Sequence, residues 1–257
     1  RCTGYKSIER AADEIVSELN ELNGEYYFNN LIEKEYIPDY FKNIPDQLRL
    51  LNSTIHNHTG KIIGGGTDLY VQIPDEIYSE SAQFFLNKEE FNYITEKDDF
   101  VCIGASTTAS DMINSEIMIS YFPKIKQWFQ LISSEPIRNM GTLGGNLVNA
   151  SPIGDLSIFF LALNAELTIQ TQNGSEREIR LKDFFLSYKK LDLKQNEFVK
   201  ELKFSIPRGD FRFNFEKVSK RTYLDIASVN TALFVQFEND NISDIHISGG
   251  GLAPIPM

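Results

Sequence analysis

Cysteine is scarce in this chain: Cys2 and Cys102 are the only two among 257 residues. Two cysteines cannot form a disulfide framework, and a reducing compartment, the cytoplasm, is the simpler setting. Basic residues are also few, 25 Lys and Arg against 36 Asp and Glu, which leaves a net charge of -11. Nucleic acid is bound by clustered Lys and Arg, so a nucleic-acid partner is excluded. No apolar run reaches the roughly 18 residues a bilayer span needs, which excludes a membrane-spanning chain. What is present is ordinary: 42% hydrophobic and 24% charged residues argue against both disorder and a fibrous repeat. The length suits one large domain or two of the usual roughly 100–150 residues. The chain begins Arg1-Cys2-Thr3-Gly4-Tyr5, with neither an initiator Met nor a signal-peptide pattern, so it is expected to be a piece of a longer protein.

Hydrophobic periodicity gives a mixed succession of elements. Ile8, Ala11, Ala12, Ile15, Val16 and Leu19 share one helical face over Ser7 to Asn20. The stretch from Glu21 to about Gln47, with Pro38 and Pro45 and no sustained period, reads as a surface linker with a short helix near Asp39 to Lys42. Lys61 to Ile63 and Phe100 to Ile103 read as strands, and Ser106, Thr107 and Thr108 offer caps for a helix through Met112. Tyr121, Phe122, Ile125, Trp128, Phe129 and Ile132 have helical spacing, although Pro123 is tolerated only in a first turn. Asp155 to Leu163 reads as a buried helix, while Ala165 to Gln170 and Leu202 to Ile206 alternate like half-buried strands. Thr231 to Phe237 and Ile242 to Ser248 predict a hairpin around Asn239-Asp240-Asn241. Without a regular βαβ rhythm, the class is α+β.

Glycine is clustered. Nine of the 16 sit in three groups, Gly64 to Gly66, Gly141 with Gly144 and Gly145, and Gly249 to Gly251. Such runs let a loop take positive φ and turn its main-chain N–H groups toward an anion. Neither of the first two has the spacing of a Walker loop or of a Rossmann turn. Tight turns and a dinucleotide diphosphate cradle both stand as readings; two loops, each following an apolar segment and preceding a small polar residue, shift the balance toward the cradle.

The second loop runs Ile137-Arg138-Asn139-Met140-Gly141-Thr142-Leu143-Gly144-Gly145-Asn146, continuing to Ser151-Pro152-Ile153-Gly154-Asp155-Leu156. It resembles the flavin-binding part of the molybdenum hydroxylases, with their I-R-N-x-G-T-x-G-G-N and S-P-x-x-D-L runs. Gly64-Gly65-Gly66-Thr67-Asp68-Leu69 is similar to the family's A-G-G-T-D-L, with Gly64 where Ala is usual. Asp183 to Lys190 with Glu197-Phe198-Val199, and Lys217-Val218-Ser219-Lys220-Arg221 with Asp225-Ile226-Ala227, resemble stretches of the bacterial xanthine dehydrogenase small subunit. Gly249 to Pro256 resembles the opening of the domain that follows. Arg1 to Tyr5 resembles the end of the C-R-C-T-G-Y motif of the preceding iron–sulfur domain, which makes Cys2 a metal ligand, to a [2Fe–2S] cluster, in the parent protein only.

The resemblance implies a two-subdomain FAD-binding domain of the molybdenum hydroxylase and vanillyl-alcohol oxidase type, preceded by a helical remnant and followed by the start of a β-rich domain. Its expected divisions are 1–20 for the iron–sulfur remnant, 21–47 for the linker, 48–207 for the FAD domain with subdomains at about 48–100 and 101–207, and 208–257 for the C-terminal start. It implies that Ile62, Ile63, Gly64, Gly65, Gly66, Thr67, Asp68 and Leu69 wrap the FAD diphosphate and ribose. Thr142, Gly144, Gly145 and Asn146 would form a second main-chain wall. Asp155 would meet an adenosine ribose hydroxyl, Leu202 would give a backbone contact near adenine, and Ile132 and Lys217 would lie near the cofactor. Asp155 also fits a simple helix cap, and Ile132 the core face of its own helix.

By the same resemblance the partners are FAD, NAD or another electron acceptor, and a molybdopterin-binding large subunit or domain. The parent would be a xanthine dehydrogenase-like enzyme. The alternatives are the FAD subunit of a hydroxylase for carbon monoxide, aldehydes or aromatic acids, and a non-catalytic interaction domain. No acid–base catalyst stands out. His56-Asn57-His58 lacks a third metal ligand and reads as a polar turn. Cys102, in an apolar strand, reads as a buried inert thiol, and Trp128 with Phe129 as core.

Overall fold

Among the described residues, apolar periodicity and turn chemistry give a series of helices and four small sheets. A computed structural model describes residues 4–20, 27–52, 60–79, 81–86 and 88–257, so Cys2 and the His56-Asn57-His58 turn lie outside the described residues. Two units are separable, Arg1–His56 and Asn57–Met257. In the first, α1 (Tyr5–Asn20) is the expected amphipathic helix, its Ile8, Ile15 and Val16 exposed. The described part of the stretch read as a linker carries α2 (Tyr27–Glu33), which the sequence reading did not include, and a 3-10 turn (Asp39–Asn43) where a short helix is expected, and it runs into α3 (Ile44–Asn52). Pro45 is the second residue of α3, where its missing N–H has no helical partner to lose. After α2, Glu35 takes φ 60° and the N–H of Tyr36 returns to Leu31 O at 2.9 Å, a left-handed helix end.

The second unit opens with β1 (Lys61–Ile63), α4 (Leu69–Gln72), α5 (Pro74–Ser79) and β2 (Ala82–Phe84), the two strands pairing in parallel. Next come β3 (Ile94–Lys97) and β4 (Phe100–Gly104). Helices α6 (Ala109–Asn114), α7 (Glu116–Tyr121), α8 (Ile125–Phe129), α9 (Glu135–Arg138), α10 (Leu143–Asn149) and α11 (Asp155–Leu161) follow. The chain then forms β5 (Glu166–Thr171), β6 (Glu176–Arg180), α12 (Leu181–Phe184), β7 (Phe185–Ser187), β8 (Lys190–Leu191) and β9 (Glu197–Ser205). β3, β4, β9, β5 and β6, in that spatial order, make one antiparallel sheet. β10 (Asp210–Val218), β11 (Val229–Glu238) and β12 (Asn241–Gly250) make a three-stranded antiparallel sheet.

Local sequence explains the joints. Thr108 caps α6 in a reciprocal box, its hydroxyl accepting from Asp111 N while Asp111 Oδ2 accepts from Thr108 N at 2.9 Å. The expected run from Tyr121 to Ile132 is cut at Pro123, so α7 ends at Tyr121 and α8 starts at Ile125. Asn239 and Asp240, at φ 49° and 63°, make the two-residue turn between β11 and β12. On β9 the buried positions step from Val199 to Leu202, three residues apart, because a bulge against β5 between Thr168 and Ile169 resets the alternation.

One apolar core joins the five-stranded sheet, through Val101, Ile103, Leu167, Leu202 and Phe204, to Met112, Met118, Phe129, Leu147 and Phe159 of the helices. Trp128 and Phe129 belong to it. Phe159 of α11 sits at its centre, in ring contact with Phe122, Phe129 and Phe160, and with Phe213 of β10 at 4.7 Å between centroids. The three-stranded sheet therefore shares the core with the helical layer rather than forming one of its own.

Candidate cofactor site

Two glycine loops 75 residues apart in sequence meet in this fold. β1 buries Ile63, then runs into Gly64-Gly65-Gly66-Thr67-Asp68 before α4 begins. Gly65 packs so closely on the main chain of Met140 that a Cβ there would collide with the Met140 carbonyl. Gly66 has φ 68°, with the Tyr70 ring 2.6 Å from where a Cβ would stand. These two positions need glycine, one for close approach and one for its left-handed backbone. The N–H groups of Gly64, Gly65, Gly66, Thr67 and Asp68 donate to no acceptor among the described residues. Gly65 is buried and the other four are half-buried. Consecutive main-chain donors without acceptors, in a loop free of bulky side chains, form the donor set that suits a diphosphate.

The second loop is built differently. Leu143 N donates to Thr107 O at 2.9 Å, Gly144 N to Ala105 O at 2.8 Å, Gly145 N to Thr142 Oγ1 at 3.1 Å and Asn146 N to Thr142 O at 3.0 Å. Thr142 is thus the N-cap of α10. These N–H groups are occupied in capping the helix and docking it on the 105–108 segment. What the loop does offer is the Asn146 side chain, whose Oδ1 is buried without a partner. An acceptor in that state calls for a donor from outside the chain. The donors of the first loop and the orphaned acceptor of the second fit the diphosphate and hydroxyls of a dinucleotide such as FAD.

Asp155 and Lys217 are brought together from 62 residues apart: Lys217 Nζ donates to Asp155 Oδ2 at 2.7 Å and to Leu131 O at 2.9 Å. Both side chains are almost enclosed, 10% and 3% exposed. Burial pushes the Asp155 carboxyl above its usual range, opposed by the Lys217 ammonium and by the hydrogen bonds from Lys217 and Asn230. Ile132 is buried in the common core, on a turn whose carbonyls are gathered by Arg138: Nη1 donates to Ile132 O at 2.9 Å and to Ser133 O at 2.8 Å. Leu202 is buried on β9, in register between Ile103 of β4 and Leu167 of β5. Sequence reasoning assigned no role to Arg138, although it stands inside the quoted I-R-N run, nor to Asn230, which no local signal marks.

Other candidates stay structural. Cys102 is buried, and burial with the neighbouring Glu201 carboxylate holds its thiol above the ordinary range, which disfavours the thiolate. Among the described residues no group of three His, Cys, Asp or Glu could hold a metal ion, and no helix is long and apolar enough to cross a membrane.

Residues 40–208 match the FAD binding domain in molybdopterin dehydrogenase. The chain is 28% identical over 202 residues to the glyceraldehyde dehydrogenase medium chain of Sulfolobus acidocaldarius, covering 78% of this chain and 71% of that one. It is 29% identical over 243 residues to the xanthine dehydrogenase of Emericella nidulans, covering 90% of this chain but 17% of that much longer protein. A solved structure of carbon monoxide dehydrogenase from Hydrogenophaga pseudoflava superposes with a TM-score of 0.68 at 26% identity, covering 77% of this chain and 68% of that one. The fold is the two-subdomain FAD-binding fold of the molybdenum-hydroxylase type, with a helical N-terminal and a β-rich C-terminal region. The chain belongs to the family of FAD-binding domains of molybdopterin dehydrogenases.

Proposed function

We propose that this chain is the electron-transfer module of a xanthine dehydrogenase-like molybdenum hydroxylase, receiving electrons from [2Fe–2S] clusters and passing them to NAD or another acceptor. The observation that supports it most is the run of five acceptor-free N–H groups from Gly64 to Asp68 beside the orphaned Asn146 Oδ1. In this reading the residues from Ile62 to Leu69 cradle the diphosphate, and the Thr67 hydroxyl adds a donor. Thr142, Gly144 and Gly145 shape the opposite wall, and the Asn146 amide oxygen accepts from a cofactor hydroxyl. The remaining lone pairs of Asp155 accept from the adenosine ribose, Lys217 pairs with that carboxylate, Leu202 gives a backbone contact near adenine, and Ile132 borders the site. A bound flavin would take electrons singly and return them in pairs; the chain's own part is to bind it, orient it and limit water around it. The xanthine dehydrogenase arrangement is favoured by Arg1 to Tyr5, similar to the end of an iron–sulfur domain carried on the same chain as the flavin domain.

Denaturing the purified chain should release FAD in about equal molar amount, and adding FAD to the cofactor-free chain should restore the yellow complex. A chain that stays colourless after FAD is added back would leave the glycine loops as turns of an interaction domain. The second reading, a hydroxylase for aldehydes, carbon monoxide or an aromatic acid, is supported by the similarity to the glyceraldehyde dehydrogenase medium chain. Anaerobic addition of xanthine or glyceraldehyde to the assembled enzyme separates the two, since only the true substrate bleaches the flavin.

A further inference from the structure

The region that matches the FAD-binding family ends at residue 208, yet the site does not. The segment from Pro152 to Ile158, which carries Asp155, is held by a set of bonds from the three-stranded sheet. Asn230 Nδ2 donates to Ile153 O at 3.1 Å and to Asp155 Oδ1 at 2.7 Å. Gly251 N donates to Pro152 O at 3.1 Å, and Ser248 Oγ to Ile158 O at 2.6 Å. Asn230 is 1% exposed, and its Oδ1 is buried without a partner beside Gly250. The two acceptors that face Nδ2 fix the amide's orientation. Reversing the amide would press Oδ1 against the Asp155 carboxylate and the Ile153 carbonyl, placing three acceptors together with no proton among them.

The two oxygens of Asp155 are therefore held from opposite partners, Lys217 on Oδ2 and Asn230 on Oδ1. Lys217 supplies charge, which draws a carboxylate without fixing its plane. Asn230 supplies none, and its directional bond sets the rotation of the carboxylate about its last bond. We infer that Asn230 is a positioning residue for the cofactor: it orients the Asp155 carboxylate so that its unused lone pairs meet the adenosine half of FAD. The inference rests on the FAD reading above and extends the site into β11, beyond the matched region.

The test measures FAD and FMN dissociation constants for the full chain by flavin fluorescence, with melting curves for each variant. Asn230→Leu should weaken FAD about tenfold, the effect of one hydrogen bond to a charged group, and leave FMN, which lacks the adenosine half, within twofold. Asn230→Ala should give the same pattern if the larger side chain prevents folding. Ser248→Ala removes a bond between the same sheet and α11 without reaching Asp155; it should lower the melting temperature and leave both constants within twofold. The inference is overturned if Asn230→Leu binds FAD as the parent does, if Ser248→Ala weakens FAD equally, or if FMN is weakened as much as FAD. Gly145→Val separates the two levels. If it abolishes FAD binding while Asn230→Leu does not, only this inference fails; if both variants bind FAD normally, the placement of FAD at the two loops fails and takes the inference with it; if the parent chain binds no FAD, the cofactor reading itself fails.

Discussion

Single residues decide whether the two loops can meet. Gly65→Ala puts a methyl into the Met140 carbonyl, so the loops must part; the expected outcome is at least a hundredfold loss of FAD affinity by fluorescence titration, with the rest of the fold still melting cooperatively. Lys217→Met leaves Asp155 buried at the core boundary with its cation gone. Removing one partner of a buried ion pair typically costs about 3–5 kcal/mol, which a urea denaturation series should register as a lower midpoint with an unchanged slope. The glycine run announced its loop because few arrangements other than a tight backbone approach use three glycines in succession. Local sequence does not mark the Asp155–Lys217–Asn230 cluster. Lys217 and Asn230 lie 62 and 75 residues from Asp155, and only the family resemblance points to Asp155 and Lys217, while nothing points to Asn230.

At the level of elements, legibility followed how strongly one periodicity outweighed its rivals. α11 and the β11–β12 hairpin are readable because their apolar spacing and their turn residues agree. β6 is not, because Glu176-Arg177-Glu178-Ile179-Arg180 has one apolar residue and is held in the sheet by its neighbours. β10 carries a strand signal of its own, with Phe211, Phe213 and Phe215 alternating with Arg212, Asn214 and Glu216. Electrostatics joins β6 to the start of β9 across β5, where Arg177 Nε and Nη2 lie 2.9 and 2.8 Å from Glu197 Oε1 and Oε2. Those bonds hold the Glu197 carboxyl at about 2, below its ordinary 4.5. A carboxyl depressed by folding adds stability above its unfolded value and loses it as pH falls toward the folded one. The melting temperature should therefore fall between about pH 4.5 and 2, and Glu197→Gln should flatten that acid limb while lowering the plateau at neutral pH.

In the larger unit, Asn57–Met257, one core serves three layers. Phe159 stands where the helices, the five-stranded sheet and β10 converge, so Phe159→Ala should cost about 3–5 kcal/mol, seen as a large loss in calorimetric stability. It should also loosen the Asp155 turn that opens the same helix. Cofactor binding runs the other way: FAD at a hundred times its dissociation constant should stabilise the fold by about 2.7 kcal/mol.

The central claim is that FAD is held by main-chain donors of the first loop. Amide resonances of the isotopically labelled full chain, followed through an FAD titration, report on those donors one by one. The account predicts large shifts at Gly64, Gly65, Gly66, Thr67 and Asp68, while Gly144 and Gly145, whose N–H groups are already committed, move less. Saturable FAD binding that leaves the Gly64 to Asp68 amides in place would contradict it.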